Sequence, residues 1–594
     1  MNFQIPKSSD SGMIVVSNSK IKIDSVSITG SYSVTIFSLT FIHHLSITNV
    51  KINKAKQFGS PFIYISNEQK YQLDQKIQSQ LFLSSININN CQNMNQQMQG
   101  SFLDIILIAQ ITSKIKLENF QIIQNNCSNC QKGVINIQFT EYTKSINIDQ
   151  LLFYQNNCGF QSCLSATPIG TYKRTQIKVD HALFIQNNGS MNGTLNLQAS
   201  QLNLQHIKFI NNTASNGGGY YSQYYQELET KDIYFIENKA DIGGAIYLNS
   251  TKLQSSSFSQ IQFLGNKGKL AIDNLQELPI YIMLSIFQTD IETITVGGQD
   301  QPNLKKFLNE SFIYLPSGQK IGQYQLFSKK VNNYQNYNIQ LKFYLVNNLE
   351  ERIFQFDNET KSCIVKQKQF IGEQQQTVKY NDLIVDYDQE DQSFIFENLT
   401  IIFDPYSSQD SYLNLQMICQ IQSNDIIEYQ LNVKTFPCQV GEYYYESQCL
   451  LCESSKGYYS LQPKAFYCLK IDPKMILKNT KNQIELYPSY WRPFSKSSLI
   501  SICIRKPETC LGGWETGDDS CQVGSIGGLC EECDIYNIRG FGQYYQNNNF
   551  KCQYCSNFIG KTAISIVITI LQFLYLNLYL EHYYLLIQLL IVLN

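Results

Sequence analysis

The sequence predicts a mostly-β chain: a right-handed parallel β-helix solenoid, then a β-sandwich-like domain, a disulfide-rich stalk and a C-terminal transmembrane helix. Three observations lead there: an apolar-anchor repeat in the first half, eleven cysteines crowded between Cys438 and Cys555, and an uncharged run from Thr562 to Leu580. The corresponding boundaries are residues 1–285, 286–435, 436–557 and 558–594.

The repeat comes first. Segments 152–157, 183–188, 208–213, 234–239 and 262–267 align without gaps, each with a Phe in second place: Phe153, Phe184, Phe209, Phe235 and Phe263. Three residues later stands an Asn: Asn156, Asn187, Asn212, Asn238 and Asn266. Ile122 and Asn125 form a sixth copy, and weaker ones lacking the Asn centre on Ile52 and Ile88. The anchors step by 25 to 36 residues, a period that belongs to repeat architectures. An alternating stretch leads into each anchor, as in Leu202–Phe209, and a glycine-containing turn and a second apolar strand follow, most clearly at Gly243-Gly244-Ala245-Ile246-Tyr247-Leu248. Alternation with period two means strands with one buried face.

Stacked as coils about 4.8 Å apart, eight such units span roughly 40 Å. The Phe anchors then form an interior aromatic stack. The Asn side chains form a ladder that satisfies backbone groups at a turn. The Leu-x-x-Leu-x-Leu pattern of a leucine-rich repeat is not found.

The Phe-x-x-Asn copies followed by Gly-Gly-Ala-Ile-Tyr resemble the repeats of polymorphic outer-membrane proteins and related parallel β-helix surface proteins. They are also similar to large protist membrane proteins with pectin-lyase-like folds. The resemblance covers roughly Ile23 to Leu284, and only the unit at Phe235 carries both halves of the motif.

From Gln288 to Thr435 the repeat is absent, but alternating stretches such as Asn338–Leu345 and Ser393–Ile401 persist. Evenly spaced strands with turns between them suggest a β-sandwich, with Cys363 and Cys419 a candidate bridge inside it. The next segment, with Cys438-Gln-Val-Gly-Glu-Tyr, Cys449-Leu-Leu-Cys452 and Cys468, resembles ephrin-receptor-like and growth-factor-receptor-like cysteine modules. That resemblance implies the pairs Cys438–Cys449 and Cys452–Cys468; sequence alone allows three pairings. Cys503, Cys510 and Cys521 follow, then Cys530-Glu-Glu-Cys533 and Cys552-Gln-Tyr-Cys555. The last four have the spacing of a four-cysteine zinc site. Their crowding among other cysteines, next to an apolar run, favours disulfides for all of them. Cys127 and Cys158 each fall five residues after an anchor, so a bridge stapling neighbouring coils is expected, with buried thiols the alternative.

Thr562–Leu580 has the length a bilayer core needs. The further apolar run Tyr583–Leu593 is too short to span alone and reads as the start of a second helix. Met1–Val16 lacks the apolar core of a signal peptide. The cysteine density argues for export, so the start reads as lying inside a longer repeat array.

Hydrophobic residues make up 43% and charged residues 16%, with a net charge of -2 and no basic run. Nucleic-acid binding, which needs clustered cations, is excluded as an expectation. No Asp-Asp pair or Gly-His-Gly setting occurs in the repeats, whose one Arg is Arg174. Glycoside hydrolysis needs paired carboxylates and a calcium-dependent lyase needs clustered Asp with a base, so no catalytic residue and no cofactor is expected. Asp149 and Asp180 each stand four residues before an anchor and stack as a weak candidate cation site. His181 and His206 stand three before theirs, which could stack them on neighbouring coils, and read as ordinary exterior positions. Eight Asn-x-Ser/Thr sequons, at Asn126, Asn188, Asn192, Asn211, Asn249, Asn309, Asn358 and Asn398, are compatible with export.

The expectation is a membrane-anchored, non-catalytic surface protein, adhesive or structural, whose solenoid meets an extracellular glycan or protein. The rival readings are the extracellular part of a receptor-like polytopic protein and a β-helix polysaccharide lyase or hydrolase.

Overall fold

The computed structural model describes residues 14–30, 32–33, 35–67, 78–95, 100–110, 112–170, 175–223, 225, 227–249, 251–270, 272–288, 291–296, 312–321, 325–330, 333–353, 362–376, 381–396, 398–422 and 425–592. Arg174 and the sequons at Asn309 and Asn358 lie outside them, as do residues 1–13 and Leu593.

Apolar residues alternating along the long strands bury one face, and the strands stack coil upon coil into a 17-stranded parallel sheet. Each coil supplies one long strand, such as Thr143–Tyr154, Gln176–Ile185 or Gln201–Ile210, and the coils up to Leu275–Gln276 add a short one, such as Leu164–Pro168 or Leu195–Leu197. The anchors lie in unbroken register, Ile52, Ile88, Ile122, Phe153, Phe184, Phe209, Phe235 and Phe263. Ile28 pairs with Ile52 and adds an earlier coil that the repeat pattern did not reveal. From Phe153 to Phe263 the rings stack with centroids 4.7 to 5.7 Å apart. Gly219 makes room for them, since a Cβ there would meet the Phe235 ring at 2.7 Å.

Two corners shape each coil from Ile28 to Phe235. One residue, three before the anchor, takes a left-handed conformation: Ser25, Asn49, Ser85, Asn119, Gln150, His181, His206 and Asp232, with φ between 50° and 57°. It drops out of the pairing, which passes from Asp149↔Asp180 to Leu151↔Ala182. The second corner follows the anchor by two residues, and directly after it stands the Asn. Each Asn side chain donates to the preceding coil's anchor carbonyl, as Asn212 does to Phe184 at 2.9 Å. Its Oδ1 accepts the backbone N–H and the amide of the Asn one coil back, both at 3.0 Å for Asn187 to Asn212. The ladder runs from Asn125 through Asn156, Asn187, Asn212 and Asn238 to Asn266. Burial without a partner would cost about 1–3 kcal/mol per polar group; the ladder leaves none of these amides unpaired. Before it begins, Cys91 occupies the Asn place as a buried free thiol that donates to the Ile52 carbonyl. Burial pushes that thiol up to about 11.

The expected inter-coil staple is not formed. Cys127 pairs with Cys130 and Cys158 with Cys163, each bridge inside one coil. The short spacing favours the near partner, because a turn that brings residues three to five apart within 5.1 and 4.8 Å Cα to Cα needs no help from the stack.

A solenoid end exposes unpaired strand edges, and here a loop of the following region covers it. The Glu351 carboxylate accepts the backbone N–H groups of Asn274 and Leu275 at 2.9 and 3.0 Å, standing in for a further coil. Glu277 is buried beside it, taking N–H groups from Leu253 and Asn348. Burial, opposed by these hydrogen bonds, pushes its carboxyl up from 4.5 to about 7. Lys252 pairs with Asp425 across the same junction.

Beyond Tyr281 the strands turn mainly antiparallel. They form an eleven-stranded sheet, nine strands along one hydrogen-bonded path and two branching from it, over a shared core. Leu383–Asp388 switches partner midway: Leu383–Asp386 pair with Ser362–Val365, whereas Tyr387 and Asp388 pair with Phe394 and Ser393. That switch turns the sheet so that Phe343 meets Tyr429 across the core at 5.7 Å. Cys363 and Cys419 stand directly opposite in register and are bridged.

From Cys438 to Cys552 the chain is a succession of two-stranded hairpins with small cores. Five bridges join Cys438–Cys449, Cys452–Cys468, Cys503–Cys510, Cys521–Cys530 and Cys533–Cys552. Cys555, expected in a bridge, is free. With Cys530 and Cys533 each joined to a different partner, the four-thiolate zinc site is not formed either. One helix then runs from Ser556 to Val592. Tyr583–Val592 continues it instead of starting a second helix, since Glu581 and His582 break the apolar run without breaking the helical backbone.

Candidate functional site

The solenoid exterior is a set of ladders, because a residue at one place in a coil stands beside its counterpart in the next. One such ladder is of amides, where Gln124, Gln155 and Gln186 hydrogen-bond in sequence. At the left-handed corner of two successive coils the pattern changes to imidazoles. His181 and His206 stack with ring centroids 4.8 Å apart and planes 18° from parallel. The left-handed backbone aims both rings back along the strand toward Asp180, whose Oδ1 lies 3.0 Å from His181 Nδ1 and 2.8 Å from His206 Nδ1.

Carboxylates flank this group. Asp149, directly opposite Asp180 in the ladder, reaches His181 Nδ1 at 3.3 Å. Asp232, the next corner residue, puts Oδ2 3.5 Å from His206 Nε2. Lys178 takes the other oxygen of Asp180 at 3.2 Å. The Asp180 side chain is 17% exposed, and burial works to raise its carboxyl; hydrogen bonds from His206 and Lys178 and the neighbouring His181 outweigh this and hold it below the ordinary value. A carboxylate kept ionised in this way accepts and ligates; it is no proton donor at neutral pH.

The sequence placed Asp149 and Asp180 together, and the structure brings His181, His206 and Asp232 to them. The offset of His181 and His206 was read from the sequence; the missed signal was that Asp232 stands at the same offset from Phe235, legible once the corner is known to expose its side chain. Elsewhere among the described residues, Cys438, Glu442 and Cys449 come together as potential ligands, but the two sulfurs are joined to each other. On another face the short strands leave an open polar groove of about 400 Å3, lined by Asn157, Asn188, Ser190, Thr213 and Ser215 among others. Asn188, a sequon residue, accepts the Thr213 hydroxyl there.

The molecule thus belongs to the mostly-β, disulfide-bonded class, with stacked parallel coils and one apolar C-terminal helix. No protein-family model, curated protein or solved structure matches this chain.

Proposed function

We propose that this chain is a membrane-anchored surface protein that binds or organises extracellular material without catalysis. The observation that carries the reading is the spread of disulfides. Eight bridges occur from Cys127 in the solenoid to Cys552, four residues before the helix that starts at Ser556. Such bridges persist in oxidising compartments, so the whole body would lie on the extracellular or lumenal side.

The helix supplies the anchor. Within its apolar span Thr562–Val592 an 18-residue window has mean hydropathy 1.9 with none of it buried, the signature of a helix that is apolar all round. At 1.5 Å per residue it is about 46 Å long, more than a bilayer core of roughly 30 Å requires. The hairpins and the antiparallel sheet then act as a stalk, and the coils, winding right-handed as parallel crossovers do, present their ladders to a glycan or protein ligand. Against a lyase or hydrolase stands the chemistry of the carboxylates: Asp180 is held ionised, while two that burial pushes up, Glu277 in the solenoid's end cap and Glu442 beside the Cys438–Cys449 bridge, are shut away from solvent.

The test is topology. The full chain with an epitope at its N-terminus, expressed in eukaryotic cells, should stain on intact cells and be released by external protease. Staining only after permeabilisation overturns the reading.

A further inference from the structure

We propose that His181, His206 and Asp180 form a binding site for a divalent transition-metal ion, Zn2+ above all, bridging two coils of the solenoid. The proposal stands independently of the membrane reading.

Zinc takes imidazole nitrogen and carboxylate oxygen at about 2.0–2.2 Å in tetrahedral array, which sets ligand atoms about 3.3 Å apart. Asp180 Oδ1 already stands 3.0 and 2.8 Å from the two Nδ1 atoms, and the three ligand atoms all lie within 4.8 Å of one another. They outline one face of a tetrahedron, and an outward movement of a few tenths of an ångström at each contact to Asp180 fits the ion. The fourth position is open to water or to Asp149, whose Oδ1 is 3.3 Å from His181 Nδ1. Imidazole with carboxylate suits zinc and its neighbours in the first transition row over calcium or magnesium, which demand oxygen.

Two further observations point the same way. A histidine bound to metal through one nitrogen nearly always gives its other ring N–H to a carboxylate, which fixes the ring. Asp232 Oδ2 is placed for this at 3.5 Å from His206 Nε2. Secondly, Asp149 and Asp180 stand directly opposite each other in the ladder, where like charges repel. Lys178 answers one oxygen of Asp180 only; a cation at the imidazole pair lies beside the Oδ1 atoms of both carboxylates. Asn119 and Gln150 hold the same corner place in the two preceding coils, so the corner's fold does not itself call for histidine.

The experiment is titration of the purified full chain in detergent with Zn2+ by calorimetry, and with Co2+ by visible absorption. One equivalent should bind, with cobalt bands of a nitrogen- and oxygen-ligated centre. His206→Asn and His181→Asn, which keep a residue the corner accepts, should each weaken zinc binding by at least about 100-fold. Asp232→Asn should cost about 10- to 100-fold, the effect of losing a carboxylate that orients a ligand. His43→Ala/His44→Ala, on the strand Phe37–Asn53 several coils before the site, should bind as the parent does. Failure of the parent chain to bind one equivalent overturns the proposal, as does unchanged binding in the His206→Asn chain when amide exchange shows its solenoid folded.

Discussion

The solenoid and the cysteine-rich hairpins are both built from short β elements, yet they are held together in opposite ways. The solenoid has one core that runs the length of the stack, with Phe and Ile anchors aligned and an Asn ladder beneath them. Every inner coil is clamped by two neighbours, so a bridge inside such a coil adds little. The hairpins from Cys438 onward have no such neighbours. One of their clusters is Tyr459, Leu461, Ile476, Ile484 and Leu486; the other has a buried core of four cysteines, Cys503, Cys510, Cys521 and Cys530. Segments this poor in apolar core need covalent staples. Repetition and cross-linking are therefore alternative solutions to one problem, the entropy of ordering a chain with few local contacts.

Reduction should separate the two regions most sharply. Under a strong thiol reductant, amide exchange from Cys438 to Cys552 should rise toward that of an unfolded chain while the coils from Thr112 to Ile236 stay protected. Equal loss of protection in both would end the contrast. Within the solenoid, Phe209→Ala removes the middle of the aromatic stack and should cost about 3–5 kcal/mol. Asn212→Leu, which strands the Phe184 carbonyl and the Asn187 N–H, should cost about 2–6 kcal/mol at 1–3 per orphaned group. Both are read from the urea dependence of exchange in the coils, and a loss confined to one coil would mean that the stack is less cooperative than its register implies.

The junction offers a pH test. Burial raises the Glu277 carboxyl from 4.5 to about 7, so the folded state holds this proton more tightly than the unfolded chain. Its contribution is full below about pH 4.5 and is lost as pH rises through about 7, amounting to about 3 kcal/mol. Glu277→Gln should flatten the fall in stability between pH 5 and 8 relative to the parent; parallel pH profiles would contradict the assignment. The smallest effect is expected for Cys127→Ser/Cys130→Ser. Closing a loop this short contributes about 2 kcal/mol or less in the chain-entropy model, against about 4 kcal/mol for Cys363–Cys419 across 56 residues. Denaturant midpoints of the two double variants make the comparison.

Much of the stack was legible in the residues. An anchor repeated at a near-constant period, with Asn three places on, specifies register, because a one-residue slip would turn every apolar side chain to solvent. The Asn ladder could be read for the same reason: a buried amide must find partners, and the neighbouring coil is the nearest source. The coil at Ile28 was not read, although it shares its Ile anchor and missing Asn with the coils at Ile52 and Ile88, which were; a single strand with so little of the motif looks like one of any sheet. The Cys127–Cys130 and Cys158–Cys163 bridges escaped because stacking position was weighed above the tighter geometry of a turn.

By itself the sequence determined the β character, the coil period, the residues that face inward and the apolar length of the C-terminal helix. Each follows from local spacing, where side-chain direction is set by the backbone one residue at a time. Only the tertiary structure decided which cysteines meet, how the antiparallel strands close over their core, and that Glu351 caps the last coil. It also decided that His181, His206 and Asp232 line up behind Asp180. These depend on distances between residues 25 or more positions apart, or on which of several near cysteines a turn brings within reach. Such distances belong to the folded chain, where a corner three residues before an anchor turns a sequence offset into neighbouring side chains, the rings of His181 and His206 4.8 Å apart.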